Sequence, residues 1–158
     1  MAEKGAFARG RNGYVLRIAA PERALITRLL DELGELLKAP ETPPTAARLF
    51  PVVHPDAPER EAEYQRLMRD ELVTSRLAAI DTVQGVLDSS AKKVTFSDEQ
   101  LSSFMQAVNG VRLVLGTILD VTEDDDFEAI ENHVPEYQLY SYLSWLLDSA
   151  VAAAAGRR

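Results

Sequence analysis

The chain has 158 residues, no cysteine, and 25 acidic against 17 basic residues, which gives a net charge of −8. This length suits one domain with its own core, so we predict a single helical domain over residues 1–158 with frayed ends at 1–5 and 156–158. The missing cysteines exclude disulfides, thiolate metal ligands and cysteine nucleophiles. No signal peptide and no apolar run of membrane-spanning length is present, so we expect a cytoplasmic protein.

The charges are distributed unevenly along the chain. Residues 120–136, which we name the acidic segment, contain eight acidic side chains and no lysine or arginine. The remainder carries 17 charges of each sign and is neutral overall, although its first 28 residues hold six basic side chains against two acidic ones. We therefore expect one negative patch and a positive end.

Residues 6–19 show the pattern of a β-hairpin. The alternation over residues 14–18 has the period of a strand, and Asn12-Gly13 is a typical two-residue turn because both residue types tolerate positive φ. Residues 92–96 are short and rich in β-forming side chains. Because a lone hairpin is only marginally stable, we predict that this segment joins it in a three-stranded sheet.

Two amphipathic helices follow the hairpin, separated by a proline-rich connector. Pro21 suits the first turn of the first helix, and apolar side chains then recur at helical spacing up to Leu37. Residues 39–58 contain six prolines, which predicts an ordered connector without regular structure. Its apolar stretch 49–53 is expected to lie along the core. A long helix is predicted over roughly residues 58–88, with Leu67 among the apolar residues of its inner face.

The central element of the predicted fold is a helix over residues 98–120. Ser97 and Gln100 form a capping box that marks its start. Apolar side chains cover nearly its whole circumference, which is typical of a helix packed on several sides. Gly116 would permit a close crossing by another helix. The predicted fold is mainly α: a four-helix-type bundle around this buried helix, with the small sheet described above.

Asn109 and Arg112 interrupt the apolar surface of this central helix. They are three residues apart and share one face. Arg112 is the only lysine or arginine in the range 94–156, and a buried guanidinium requires a partner. We expect a carboxylate from residues 120–131 or from Asp81. The pair is either a structural clamp or a site for an anionic ligand.

A last helix is predicted over residues 136–155, and aromatic side chains crowd its first half. Such clusters usually pack into a core, with polar tips at the rim, and they also form binding surfaces. We expect Tyr142 and Trp145 to be the aromatic residues that remain accessible. Surplus apolar surface on this helix would also suit a homodimer.

Motifs for catalysis and cofactor binding are absent from the sequence. It contains no G-x-G-x-x-G, Walker A, G-x-S-x-G or H-E-x-x-H pattern, so neither enzymatic activity nor a cofactor is expected. In residues 120–131 the side chains that carry oxygen atoms have the spacing of a calcium-binding loop. Asp125, however, occupies the position where such a loop needs glycine, so no specific metal site is predicted. The lack of a convincing basic helix argues against binding to nucleic acid.

Several short stretches of the chain resemble stretches of a known family, and they occur in the same order. They are residues 21–23 (PER), 47–51 (ARLFP), 113–117 (LVLGT), 121–124 (VTED) and 142–146 (YLSWL). Together they resemble the actinobacterial family called domain of unknown function 2017, and they extend over nearly the whole chain. The resemblance implies an α-rich cytoplasmic protein without an established activity. It also associates such genes with the neighbourhood of a Clp protease adaptor, which implies a role in protein quality control or regulation.

We therefore predict a non-enzymatic regulatory or adaptor domain that binds another protein, with a partner linked to Clp-type proteolysis as the resemblance implies. The predicted contact residues are Glu123, Asp124, Asp125, Tyr142 and Trp145. The alternative is a small-ligand or metal-binding module centred on Asn109, Arg112 and the loop at residues 120–131.

Overall fold

A computed structural model describes residues 5–120 and 134–156 of the chain. Within these ranges it contains four α-helices, one 3-10 helix and three β-strands. The helices are α1 (Ala20–Lys38), α2 (Pro58–Leu87), α3 (Asp98–Asp120) and α4 (Val134–Ala154), and the 3-10 helix spans Pro44–Leu49. The strands are β1 (Phe7–Gly10), β2 (Gly13–Leu16) and β3 (Val94–Phe96). The mainly helical fold is therefore confirmed, whereas the fraying predicted for residues 1–4 and 157–158 lies outside the described residues.

The three strands form one antiparallel sheet in the order β1-β2-β3, as predicted. Gly10 pairs with Gly13, so residues 11–12 form the turn, and the prediction of a turn at Asn12-Gly13 was wrong by one residue. Gly13 instead begins β2 with φ +140°. A Cβ atom there would lie 2.3 Å from the carbonyl oxygen of Phe96, so the contact with β3 requires the glycine.

Aromatic side chains fasten the sheet to α3. The rings of Phe7, Phe96 and Phe104 form an edge-to-face triad with centroid separations between 5.0 and 5.6 Å. The hydroxyl of Tyr14 donates a hydrogen bond to Asp98 Oδ1 at 2.8 Å. This bond, with a further contribution from burial, raises the pKa of Tyr14. The sheet therefore lies against the first turns of α3.

The central position predicted for α3 is confirmed, because it packs against α1, α2, α4, the 3-10 helix and the sheet. Its start is fixed by reciprocal capping: the backbone N–H of Gln100 donates to Ser97 Oγ at 3.1 Å, and that of Ser97 donates to Gln100 Oε1 at 2.9 Å. Gly110 faces α1, where a Cβ atom would lie 2.9 Å from Leu33 Cδ2. This glycine permits α1 and α3 to approach each other closely.

The connector between α1 and α2 is more regular than its proline content predicts. Pro44 begins the 3-10 helix, because its fixed φ and missing N–H suit a first helical position. Leu49 and Phe50 are buried, but Val52 and Val53 are 63% and 47% exposed. The prediction of no regular element was therefore wrong, and the apolar stretch follows the core only over its first two residues.

The second half of α2 packs into the core, whereas its first half extends beyond it. Leu67, predicted on the inner face, is 65% exposed. The carboxylate of Glu61 anchors the first half to the connector by accepting hydrogen bonds from the backbone N–H groups of Val53 (2.9 Å) and His54 (2.7 Å). The buried residues of α2 are Ala79, Ile80, Val83 and Leu87.

Candidate functional site on the α3–α4 interface

Asn109 and Arg112 are half-buried where α3 meets α4. The guanidinium of Arg112 donates from Nη2 to Asn109 Oδ1 at 3.2 Å and from Nη1 to Ser144 Oγ at 3.3 Å. Its Cζ atom lies 5.8 Å from the centroid of the Tyr140 ring, within the range of a cation–π contact. The pair singled out in the sequence therefore joins two residues of α4, and we name these four residues the Arg112 cluster.

The carboxylate partner predicted for Arg112 is absent among the side chains that the structure describes, since none of their carboxylate oxygens lies within 4.0 Å of its guanidinium. Asp81, one of the two predicted sources, is exposed at the surface, so that prediction was wrong. Neutral oxygen atoms and an aromatic ring contact the guanidinium instead, and its half-buried position leaves part of it hydrated. The other predicted source, residues 121–131, lies outside the described residues.

Gly116 lies one turn beyond Arg112 on α3. A Cβ atom there would lie 2.9 Å from Nη1 of Arg48, in the 3-10 helix, and 3.6 Å from Cε2 of Tyr140. The space freed by this glycine is therefore bordered by the tip of an arginine side chain and the edge of an α4 ring. An alanine here would displace the flexible tip of Arg48 and would meet the Tyr140 ring at an ordinary van der Waals distance.

The aromatic half of α4 contacts α1. The hydroxyl of Tyr142 donates a hydrogen bond to Glu22 Oε2 at 2.5 Å. Burial, followed by this bond to Glu22, raises the pKa of Tyr142 well above its ordinary range. The Trp145 ring lies 5.8 Å from the Tyr142 ring, and both side chains are half-buried against the core. The hydroxyl of Tyr142 is thus engaged inside the molecule, whereas part of Trp145 remains accessible.

The other predicted contact residues, Glu123, Asp124 and Asp125, lie outside the described residues. The structure describes the two helices that flank them, up to Asp120 and from Val134.

Arg23, near the start of α1, is a positioning residue that our sequence reasoning missed. Its guanidinium donates to the backbone carbonyl oxygens of Leu87 (3.1 Å), Ser89 (2.7 Å) and Ala91 (3.0 Å). These carbonyls lie at or just beyond the C-terminal end of α2, where a positive charge is favoured by the helix dipole. The available signal was the absence of a basic residue in the last turn of α2, which leaves those carbonyls to be satisfied by another element.

The larger cavities lie away from the Arg112 cluster. One of them is a groove of 850 Å³ between the start of α1, the end of α2 and residues 89–93. Neither Asn109 nor Arg112 lines any of the larger cavities in the described ranges. Across residues 5–120 and 134–156, no group of three or more His, Asp or Glu side chains could hold a metal ion. In this part of the chain, the Arg112 cluster is a packed interface.

A family model described as "Domain of unknown function (DUF2017)" matches residues 4–154 of the chain. The chain belongs to this family. The match includes all three strands, the 3-10 helix and the four described α-helices. No curated protein and no solved structure matches the chain. In the described ranges, no helix is long and apolar enough to cross a membrane.

The stretches that carried the family resemblance contact one another in the fold. Glu22 of the first stretch accepts the hydrogen bond from Tyr142 of the last. Arg48 of the second borders Gly116 of the third. These four DUF2017 stretches therefore join α1 to α4 and the 3-10 helix to α3.

Proposed function

We propose that this DUF2017 chain is a regulatory or adaptor domain that binds another protein and is not itself an enzyme. The observation that carries the proposal is the acidic segment, whose eight acidic side chains equal the whole net charge of −8. Such a concentration of one sign favours and steers association with a basic surface. A cytoplasmic location, an actinobacterial source and a partner linked to Clp-type proteolysis belong to the same proposal, because the family resemblance implies them.

The helices on either side support this assignment. α3 and α4 pack against each other along the core, so the segment joins two elements that are held in place. Trp145, half-buried in the first half of α4, is the more suitable aromatic contact, because the hydroxyl of Tyr142 already binds Glu22. A partner would combine charge contacts with the acidic segment and apolar contacts with this ring.

The test is a capture experiment with charge-neutralised variants. The tagged chain is crosslinked mildly in its own cells, and bound proteins are quantified by mass spectrometry. We expect the combined substitutions Glu123→Gln, Asp124→Asn and Asp125→Asn to remove a partner that the wild type captures. The matched control removes three exposed acids of α2 by Glu59→Gln, Asp70→Asn and Glu71→Gln. It should keep the partner, and both variants should keep the wild-type unfolding midpoint.

The proposal would be overturned if the wild type and both variants captured the same set of proteins at low and at high salt. Equal loss in both variants would also overturn it, because the effect would then follow net charge and not the acidic segment.

A second candidate function is a small-ligand or metal-binding module centred on Asn109, Arg112 and the loop at residues 120–131. The observation favouring it is that only neutral groups contact Arg112 among the described side chains, so its positive charge is not cancelled there. Inorganic phosphate is a suitable probe, because a ligand that binds only the folded state raises its stability. We expect phosphate, but not chloride at equal ionic strength, to raise the Tm of the wild type and not that of Arg112→Met. An unchanged wild-type Tm would reject an anion site here.

A further inference from the structure

The groove between α1, α2 and β3 is a surface concavity of 850 Å³ lined by described residues. Ile18 is half-buried and Ala24 is exposed, and both contribute apolar surface to the groove. Arg28, Lys92 and Lys93 are exposed around it. The groove is therefore accessible to a macromolecule and combines an apolar surface with exposed cationic side chains.

The charge of this groove is opposite to that of the chain. Arg23, Arg28, Lys92 and Lys93 line it against a single acid, Asp31, which gives a formal charge of +3 in a molecule of net charge −8. Asp31 also accepts a hydrogen bond from Gln84 Nε2 at 2.7 Å, so part of its acceptor capacity is engaged. We name this surface the basic groove.

Arg23 makes the base of the groove favourable for anions. The C-terminal end of a helix carries partial negative charge on its free carbonyls, which repels carboxylates. Here the three carbonyls of Leu87, Ser89 and Ala91 are covered by the Arg23 guanidinium. Among the described side chains no carboxylate pairs with Arg23, so its positive charge remains in the groove.

The basic groove lies far from the C-terminal end of α3. The groove is at the sheet end, where β2 leads into α1 and α2 leads towards β3. α3 also begins at the sheet, through the bond between Tyr14 and Asp98, and its 23 residues end at Asp120. At 1.5 Å per residue this helix is about 34 Å long, so substitutions in the groove are remote from the point where α3 ends, and the groove can be tested separately from the acidic segment.

We propose that the basic groove binds an acidic peptide segment of another protein, with carboxylates on the lysines and arginines and an apolar side chain near Ile18 and Ala24. Charge complementarity favours carboxylates. No aromatic side chain lines the groove, so it offers no stacking platform for single-stranded nucleic acid. An extended peptide that alternates acidic and apolar residues matches the two kinds of surface, because alternate side chains point to opposite sides.

Fluorescence anisotropy with a labelled peptide of alternating glutamate and leucine tests this inference on the full chain. We expect the peptide to bind the wild type, with an affinity that falls as salt rises. The double substitution Lys92→Glu and Lys93→Glu should weaken binding by about tenfold or more. Both residues are exposed, so circular dichroism should show an unchanged fold.

Three controls make the result specific. The substitutions Arg9→Glu and Arg11→Glu change the charge equally near the hairpin turn and should alter the affinity by less than about twofold. A matched peptide with glutamine in place of glutamate should not bind, and oligothymidylate should bind more weakly than the acidic peptide. The proposal would be overturned if the lysine variant kept its affinity for the peptide or if the arginine variant lost as much affinity. It would also be overturned if the glutamine peptide bound or if oligothymidylate bound more tightly than the acidic peptide.

Discussion

Gly13 occupies a position that no residue with a side chain can take without strain. Its φ is +140°, and an added Cβ atom would lie 2.3 Å from the carbonyl oxygen of Phe96. We expect Gly13→Ala to lower the free energy of unfolding by about 3 kcal/mol, measured by urea denaturation. Gly85→Ala is the matched control, because an added Cβ on this exposed helical residue meets nothing within 4 Å. It should raise stability by about 0.5 kcal/mol. Similar effects at both positions would contradict strain at Gly13.

Ionisation of Tyr142 is expected to lower the free energy of unfolding at alkaline pH. Burial and the bond to Glu22 raise the pKa of its hydroxyl above the ordinary value of 10.0, so the folded chain keeps the proton at a pH where the unfolded chain releases it. Its contribution is therefore complete below the unfolded-state pKa and is lost as pH rises above it. Between the pKa of Tyr142 in the unfolded chain and its higher pKa in the folded chain, each unit of pH lowers the free energy of unfolding by about 1.4 kcal/mol.

Replacing Tyr142 with phenylalanine tests this linkage. Tyr142→Phe should lower the free energy of unfolding by about 1 kcal/mol near neutral pH, because the bond to Glu22 is lost. The deficit should disappear near pH 11, since phenylalanine does not ionise in the unfolded chain. Urea denaturation of both proteins at the two pH values gives the comparison. A deficit of equal size at both would show that Tyr142 titrates alike in the folded and unfolded states.

At the scale of the element, α3 depends on the reciprocal bonds between Ser97 and Gln100. Ser97→Ala should lower the free energy of unfolding by about 1 kcal/mol. In a double-mutant cycle with Gln100→Ala, the two losses should not add, because each residue also satisfies the other's N–H group. Ser102→Ala, at an exposed interior position of α3, is the control and should be neutral or slightly stabilising. Strictly additive losses would mean that the two bonds act independently.

Sequence patterns predict the elements whose signals are local. The capping box and the all-round apolar surface of α3 identify a central helix, and the spacing of Asn109 and Arg112 places them together. The patterns do not predict Tyr140 and Ser144 as their partners, because those contacts depend on how α4 packs. The 3-10 helix escaped prediction because proline density is compatible with a first helical turn as well as with a loop. The exposure of Leu67 likewise depends on where the core ends, which periodicity along α2 does not specify.

At the scale of the whole molecule, one buried core contains side chains from the sheet, the 3-10 helix and all four described α-helices. We therefore expect cooperative two-state unfolding, in keeping with the predicted single domain. The only tryptophan, Trp145, reports on packing of α4, and circular dichroism reports on all helices. Urea transitions followed by these two signals should coincide. A tryptophan transition at lower urea would show that α4 separates from the rest before the core unfolds.

The Phe7–Phe96–Phe104 triad has a consequence for folding while the chain is being synthesised. Phe7 emerges early, but its two ring partners are synthesised about 90 residues later, which takes roughly 5 to 20 seconds. During that interval the hairpin is only marginally stable and its apolar face has no helix to cover it. The hydrogen bond from Tyr14 likewise cannot form until Asp98, 84 residues further along the chain, has been synthesised. The strands of the hairpin therefore consolidate only after α3 has been made, and nascent chains halted before α3 should expose an uncovered β-hairpin that chaperones or proteases can bind.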